Sequence, residues 1–344
     1  MSSFIKQLKS AIKQVNNFNS LHTEIAQLCA NITYNNRVQE LNDYVLHSKE
    51  SGITDMHYCD HEIIISLTTY EPRLYEVYLA IESIMQQTMK ANRIILWLSD
   101  TLKHEPLPAT IQLQTKRGLE VRYCKDIRSY KKLIPSLKAF PNDSIITIDD
   151  DLIYHIDVIE KLIHNYLKDP QYIYFNRGCR ISFQENNLSP YLEWKECIDT
   201  DISILNFPTG GAGALYPPHI FNDEIFNESV FMSICPYGDD IWFKAMALYN
   251  SKLSRKVYTH DKFGDDFLCN PNVQECALHH INNGQLQNDF FYMNNINVNI
   301  VRLFRRSRYF ALIFIFTCLF KGNHIPSFII IVSTLNRRIS RILK

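Results

Sequence analysis

The sequence predicts an α/β protein, with a mainly parallel sheet, helices on both faces and helical additions at either end. Three observations predict it. Three apolar runs rich in β-branched residues, at 62–70, 93–100 and 144–151, and a mixed strand-like run at 119–126, each end in hydroxyl or carboxylate residues. A stretch of helical periodicity follows each run, at 73–88, 108–118, 130–140 and 155–169. Turn residues punctuate the joins, with Gly118 closing the second helix. Continuous apolar runs suit strands buried on both faces, and strand–helix alternation makes neighbouring strands parallel.

The N-terminal residues 1–60 read as helical. Phe4, Ile5, Leu8, Ile12 and Val15 fall at helical spacing, and Leu21, Ile25 and Leu28 form a second pattern. Asn16, Asn17, Asn19 and the stretch "NITYNNR" interrupt them, which predicts a helical hairpin. That hairpin would pack on the main domain or on a second copy of the chain, a homodimer. Residues 61–266 form the main domain, 267–300 a connecting segment, and 301–344 a basic, hydrophobic tail.

Lys plus Arg and Asp plus Glu each number 36 in the 344 residues, a formal net charge of zero that hides a split. From Phe290 to Lys344 there are nine basic and no acidic residues, which leaves 27 basic and 36 acidic before it, a charge of −9. In the tail, two apolar segments, Tyr309–Phe320 and "SFIIIVSTL", are flanked by arginines, and neither is long enough to span a bilayer. The expected partner is an anionic membrane surface, with the protein peripheral at the cytoplasmic face of the cell membrane. Packing of the tail as a helical hairpin is the alternative. Nucleic acid is excluded, because long aliphatic runs make a poor phosphate-binding surface. The nine cysteines form no Cys-x-x-Cys pair, and the N-terminus has no secretory pattern. Both features suit a reducing, cytoplasmic setting.

Ligands of open parallel sheets bind outside the strands' carboxyl ends. Thr68–Thr69, Ser99–Asp100, Asp126 and Asp149–Asp151 therefore line one rim. Adjacent carboxylates repel unless a cation offsets them, and their oxygens suit Mg²⁺ or Mn²⁺. Capping of the following helix, with Asp150 as the cap, is the competing explanation of the triplet. "FPTGGAGALYPP" is rich in small residues, which permit close approach of backbone to ligand or simply a flexible hairpin loop. Lys132 reads as a diphosphate or base contact or as a solvated helix start. Asp239 and Asp240 open an amphipathic helix as caps or as a catalytic carboxylate.

Taken together, "SLTTY", "IDDD", "GGAGALYPP" and "YGDDIWF" make residues 62–262 resemble nucleotide-sugar glycosyltransferases of the GT-A fold, nearest the inverting, family-2-like group that builds bacterial surface glycans. The resemblance implies a metal site at the Asp149-x-Asp151 motif, with Asp151 the direct ligand and Asp149 a further ligand or a contact to the ribose or a metal-bound water; His260 reads as a third ligand or as a structural histidine. It implies a general base at Asp240, ahead of Asp239. Donor contacts would come from Thr68, Thr69, Tyr70, Arg73, Asp100, Lys132, Asp149, Asp150, Gly210 and Gly211. The implied partners are a nucleotide-sugar donor, a UDP-sugar first, and a glycan or lipid-linked acceptor. The opening strand departs from the family's Pro-Thr-Tyr-Asn pattern, which leaves the base-binding residues open. The rival readings are a nucleotidyltransferase, which would carry a glycine-rich basic loop after the first strand, and an inactive glycan-binding or membrane scaffold.

Overall fold

The structure, a computed structural model, describes residues 2–184, 187–189, 191–258 and 267–269. Its first half runs α1 (Ser2–His47), β1 (Ile63–Thr68), α2 (Val77–Met85), β2 (Arg93–Ser99), α3 (Ala109–Thr115), β3 (Leu119–Cys124), α4 (Ile134–Ala139) and β4 (Ser144–Thr147). The chain continues with β5 (Leu152–Tyr154), α5 (Val158–Lys168), β6 (Ile173–Phe175), β7 (Gly178–Arg180), β8 (Phe183–Gln184) and β9 (Asn187–Leu188). Then come β10 (Lys195–Glu196), β11 (Ile202–Ser203), β12 (Asn206–Pro208) and β13 (Ala214–Tyr216), followed by α6 (Glu228–Ile234), α7 (Asp239–Tyr249), β14 (Ser254–Lys256) and β15 (Phe267–Cys269).

The main sheet has eight strands in the order β11-β14-β6-β13-β4-β1-β2-β3. β4, β1, β2 and β3 are mutually parallel, as their apolar runs predict. β13 enters antiparallel between β4 and β6. Side chains alternate across the sheet. Ile63, Ile65 and Leu67 of β1 pack with α2 and α5, whereas Ile64 packs with α4 and α7 on the other face. The expected fold class is therefore observed, as a three-layer arrangement with both faces covered. β1 lies between β4 and β2, so the chain's outward winding reverses between β1 and β4. The loops leaving these two strands diverge there and open a crevice.

Two expectations are corrected. The N-terminal hairpin is one continuous 46-residue helix. Residues 2–47 contain no glycine or proline, and asparagine's small propensity penalty does not break a helix. The small-residue stretch is no flexible loop. Gly210–Ala212 form a buried 3₁₀ turn that leads directly into the interior strand β13. Gly213 makes the entry with φ +98, where a side chain would also strike the Asn176 amide.

Among the described residues all seven cysteines are free, and no helix is long and apolar enough to cross a membrane. The tail at 301–344 and His260 lie outside the described residues.

Candidate active site

The crevice is built first from the ends of β1 and β4. Pro72 starts a 3₁₀ turn at Glu71–Arg73 that folds Arg73 back over the strand ends. Its Nη1 donates to Asp150 Oδ1 at 2.9 Å and Asp151 Oδ2 at 3.1 Å. Thr69 Oγ1 donates to Asp150 Oδ2 at 2.5 Å. Burial pushes the Asp150 carboxyl up, and Arg73 and Thr69 oppose that push. Burial first, then the charges of Asp149 and Asp150, push Asp151 up to about 6. Asp150 therefore caps no helix. β5 intervenes, and α5 begins only at Val158 with Asp157 at its N-cap.

The opposite wall comes from β4, the glycine turn and α7. Lys132 is buried, its Nζ 3.1 Å from Asp149 Oδ1 and 2.9 Å from Asp239 Oδ2. It is no solvated helix start. Burial alone would strip its proton, but Asp149, Asp239 and Asp240 outweigh that and hold its pKa well above the usual range. Asp239 Oδ1 also accepts from Ser129 Oγ at 2.9 Å. Gly238, not Asp239, is the N-cap of α7. Asp240 Oδ1 accepts the Gly210 N–H at 3.0 Å, and Thr147 Oγ1 donates to the Gly210 carbonyl at 3.1 Å. Burial pushes Asp240 up to about 7 despite Lys132.

Close approach requires glycine at 211 and leaves little room at 210. A Cβ on Gly211 would lie 2.0 Å from Asp149 Oδ2, and one on Gly210 would lie 3.0 Å from both Asp240 Oδ1 and Thr147 Oγ1. The turn thus fits between the carboxylates of two distant motifs. The Tyr154 hydroxyl braces it, accepting from the Asp149 N–H at 2.8 Å and donating to the Gly211 carbonyl.

Five carboxylates (Asp149, Asp150, Asp151, Asp239 and Asp240) gather around Arg73 and Lys132. This excess of hard oxygen donors fits a divalent cation. Asp149, whose side chain is 41% exposed, and Asp151 are the carboxylates open to one. The triplet does not converge three oxygens on a point. Among the described residues the one such three-residue group is Cys59, Asp60 and His61, just before β1 and at the opposite end of that strand. Two protein ligands suit Mg²⁺ or Mn²⁺, which keep waters and take up substrate phosphates.

The other expected residues are Thr68, Asp100 and Tyr70. Thr68 Oγ1 donates to the Trp97 carbonyl at 2.8 Å. Asp100 is exposed and acts electrostatically on Cys124 and Lys125, at the end of β3. Tyr70 is exposed, its ring centroid 5.4 Å from the Arg73 guanidinium carbon. Ser129, Thr147 and Tyr154 carry no sequence signal, because a lone hydroxyl makes no motif. Cys269, on β15, sits within electrostatic reach of Asp151 because β15 pairs with β5.

No protein-family model and no curated protein matches the chain. Solved structures similar to it include glucosyl-3-phosphoglycerate synthase from Mycobacterium tuberculosis with Mn²⁺, UDP and phosphoglyceric acid, at 18% identity and TM-score 0.27. That match covers 34% of this chain and 43% of that one, less than half its length. S. aureus TarS 1–349 is similar at 12% identity and TM-score 0.44, over 72% of this chain and 66% of that one. CMP:2-keto-3-deoxy-manno-octonic acid synthetase with CTP is similar at 11% identity and TM-score 0.38, over 65% of this chain and all of the other.

Proposed function

We propose that the chain is a metal-dependent glycosyltransferase that moves a sugar from a nucleotide-diphosphate sugar, a UDP-sugar first, to a glycan or lipid-linked acceptor. One observation carries the reading: the Asp149–Asp151 turn and the Asp240 carboxylate, 89 residues apart in sequence, flank one glycine turn at the sheet's switch point. Asp149 and Asp151 would hold Mg²⁺ or Mn²⁺, which supplies charge neutralisation for the departing diphosphate. Lys132, fixed in its charged state, adds a positive potential beside Asp149. Asp239 is committed to Lys132 and Ser129 and serves to position. Asp240 has a backbone partner and a pKa raised to about 7. It is the general base that takes the acceptor hydroxyl proton, so transfer inverts the anomeric centre. The basic tail would hold the enzyme at an anionic membrane surface.

A donor panel assayed for released nucleotide, with and without Mn²⁺, tests this. Nucleoside diphosphate release that needs Mn²⁺ and is lost in Asp151→Asn supports the reading. Pyrophosphate release from a nucleoside triphosphate and a sugar phosphate would replace it with nucleotidyl transfer. No turnover with any donor would leave only a binding protein.

A further inference from the structure

From Ser20 to Thr33 every residue of α1 is exposed, so among the described residues nothing packs on this part of the helix. The same helix is firmly docked further on. Tyr34, Leu41 and Val45 are buried and Val38 is partly buried, against Leu79 and Ile153. Leu21, Ile25, Leu28 and Ile32 repeat the 4-3-4 spacing of these docking residues, yet stand 53%, 49%, 60% and 59% exposed. At 100° per residue this exposed seam points about 140° away from the docked one. It is therefore no continuation of the contact with the domain. A helix of this length gains its stability from tertiary packing rather than propensity, so a free apolar seam calls for a partner.

The seam specifies that partner. Ile25 and Ile32 occupy heptad position a, and Leu21 and Leu28 position d. β-Branched residues at a with leucine at d favour two parallel strands. In the same register, position a stays apolar along the sequence from Phe4 through Ala11 and Phe18 to Ile32, while position d becomes Gln14 and Gln7. Glu24 is the one Asp, Glu, Lys or Arg between Ser20 and Thr33, so like charges do not oppose pairing and no basic face suits lipid headgroups. The four seam residues alone would bury roughly 800 Å² in a pair, short of the ~1,200–2,000 Å² of a stable interface, so the pairing must extend toward Phe4.

We infer that α1 forms a parallel two-stranded coiled coil with a second copy of this chain, joining two catalytic domains at one stalk. The inference is independent of the reaction proposed above.

Sedimentation equilibrium of the full-length chain in mild detergent tests it. The parent is a dimer, and Ile25→Lys with Leu28→Lys raises the dissociation constant at least 100-fold without moving the domain's urea midpoint. In a Cys29→Ser background, Leu21→Cys forms an interchain disulfide on mild oxidation, because parallel d positions face each other, and the background alone does not. A monomeric or trimeric parent, or a dimer that survives the double substitution, overturns the inference. So does a dimer without the Leu21→Cys crosslink, which would be antiparallel. A dimer untouched by the lysines but lost on deleting residues 300–344 would assign the association to the tail instead.

Discussion

Replacing Gly211 by alanine probes the tightest fit in the site. The added methyl would stand 2.0 Å from Asp149 Oδ2 and 2.7 Å from its Cγ. Ordinary contact is about 3.4 Å or more, so the clash cannot be absorbed by small shifts. The Gly211 backbone cannot retreat easily, because its carbonyl accepts from both the Asp149 N–H and the Tyr154 hydroxyl. The Asp149 side chain, partly open to solvent, is what yields. Leaving its rotamer costs about 0.5–1.5 kcal/mol. Losing the 3.1 Å contact to Lys132 Nζ costs roughly 1.5–3 kcal/mol before solvent screening of a half-exposed carboxylate reduces it. The expected net loss is about 1–3 kcal/mol in urea unfolding at pH 7.5. If Asp149 holds the cation, calorimetric titration with Mn²⁺ and UDP should show affinity at least ten-fold weaker. Gly238→Ala is the control, because its methyl meets only the flexible end of Ile241, at 2.9 Å. As the N-cap of α7 it should lose no more than about 1 kcal/mol, the preference of glycine over alanine there, and keep the parent's Mn²⁺–UDP affinity. Parent-like stability and Mn²⁺–UDP affinity in Gly211→Ala would refute the account of the glycine turn.

Four further outcomes follow from buried charge. Lys132→Met leaves Asp149, Asp239 and Asp240 without their shared cation and should cost roughly 3–5 kcal/mol at pH 8, less at pH 5 where Asp240 is protonated, by urea titration at both values. Lys244 is buried with no hydrogen-bond partner for its Nζ among the described residues, and burial lowers its pKa to about 7, so Lys244→Met should stabilise the fold by roughly 1–3 kcal/mol in the same assay. Asp240 and Asp151, raised to about 7 and about 6, keep protons that the unfolded chain releases near pH 4. Their contribution to stability is thus complete below pH 4 and is lost as pH rises to about 7. Turnover runs the opposite way, with kcat/KM rising through pH 7 as Asp240 ionises; a flat profile, or one retained in Asp240→Asn, would remove it as the base.

The sequence by itself determined β1 to β4, their parallel pairing and the rim they share, but not the antiparallel β13 between β4 and β6. These depend on local apolar runs and on the period of the helices between them, and Ile63–Thr68 or Arg93–Ser99 could be read without a neighbour in view. It also marked the Asp149–Asp151 turn, because three adjacent carboxylates after a buried strand demand a reason. Tertiary structure alone decided how those charges divide. Asp150 turns inward to Arg73 and Thr69, whereas Asp149 meets a lysine seventeen residues away. Lys132 reads from the sequence either as a diphosphate or base contact or as a solvated helix start, because one lysine beside another usually faces solvent. Only the approach of α7 and of the turn after β4 supplied the carboxylates that make its burial tolerable. The unbroken α1 is the reverse case. Its continuity rests on the absence of glycine and proline, a local property, while the place where its apolar seam changes face is set by where the domain surface ends, at Tyr34.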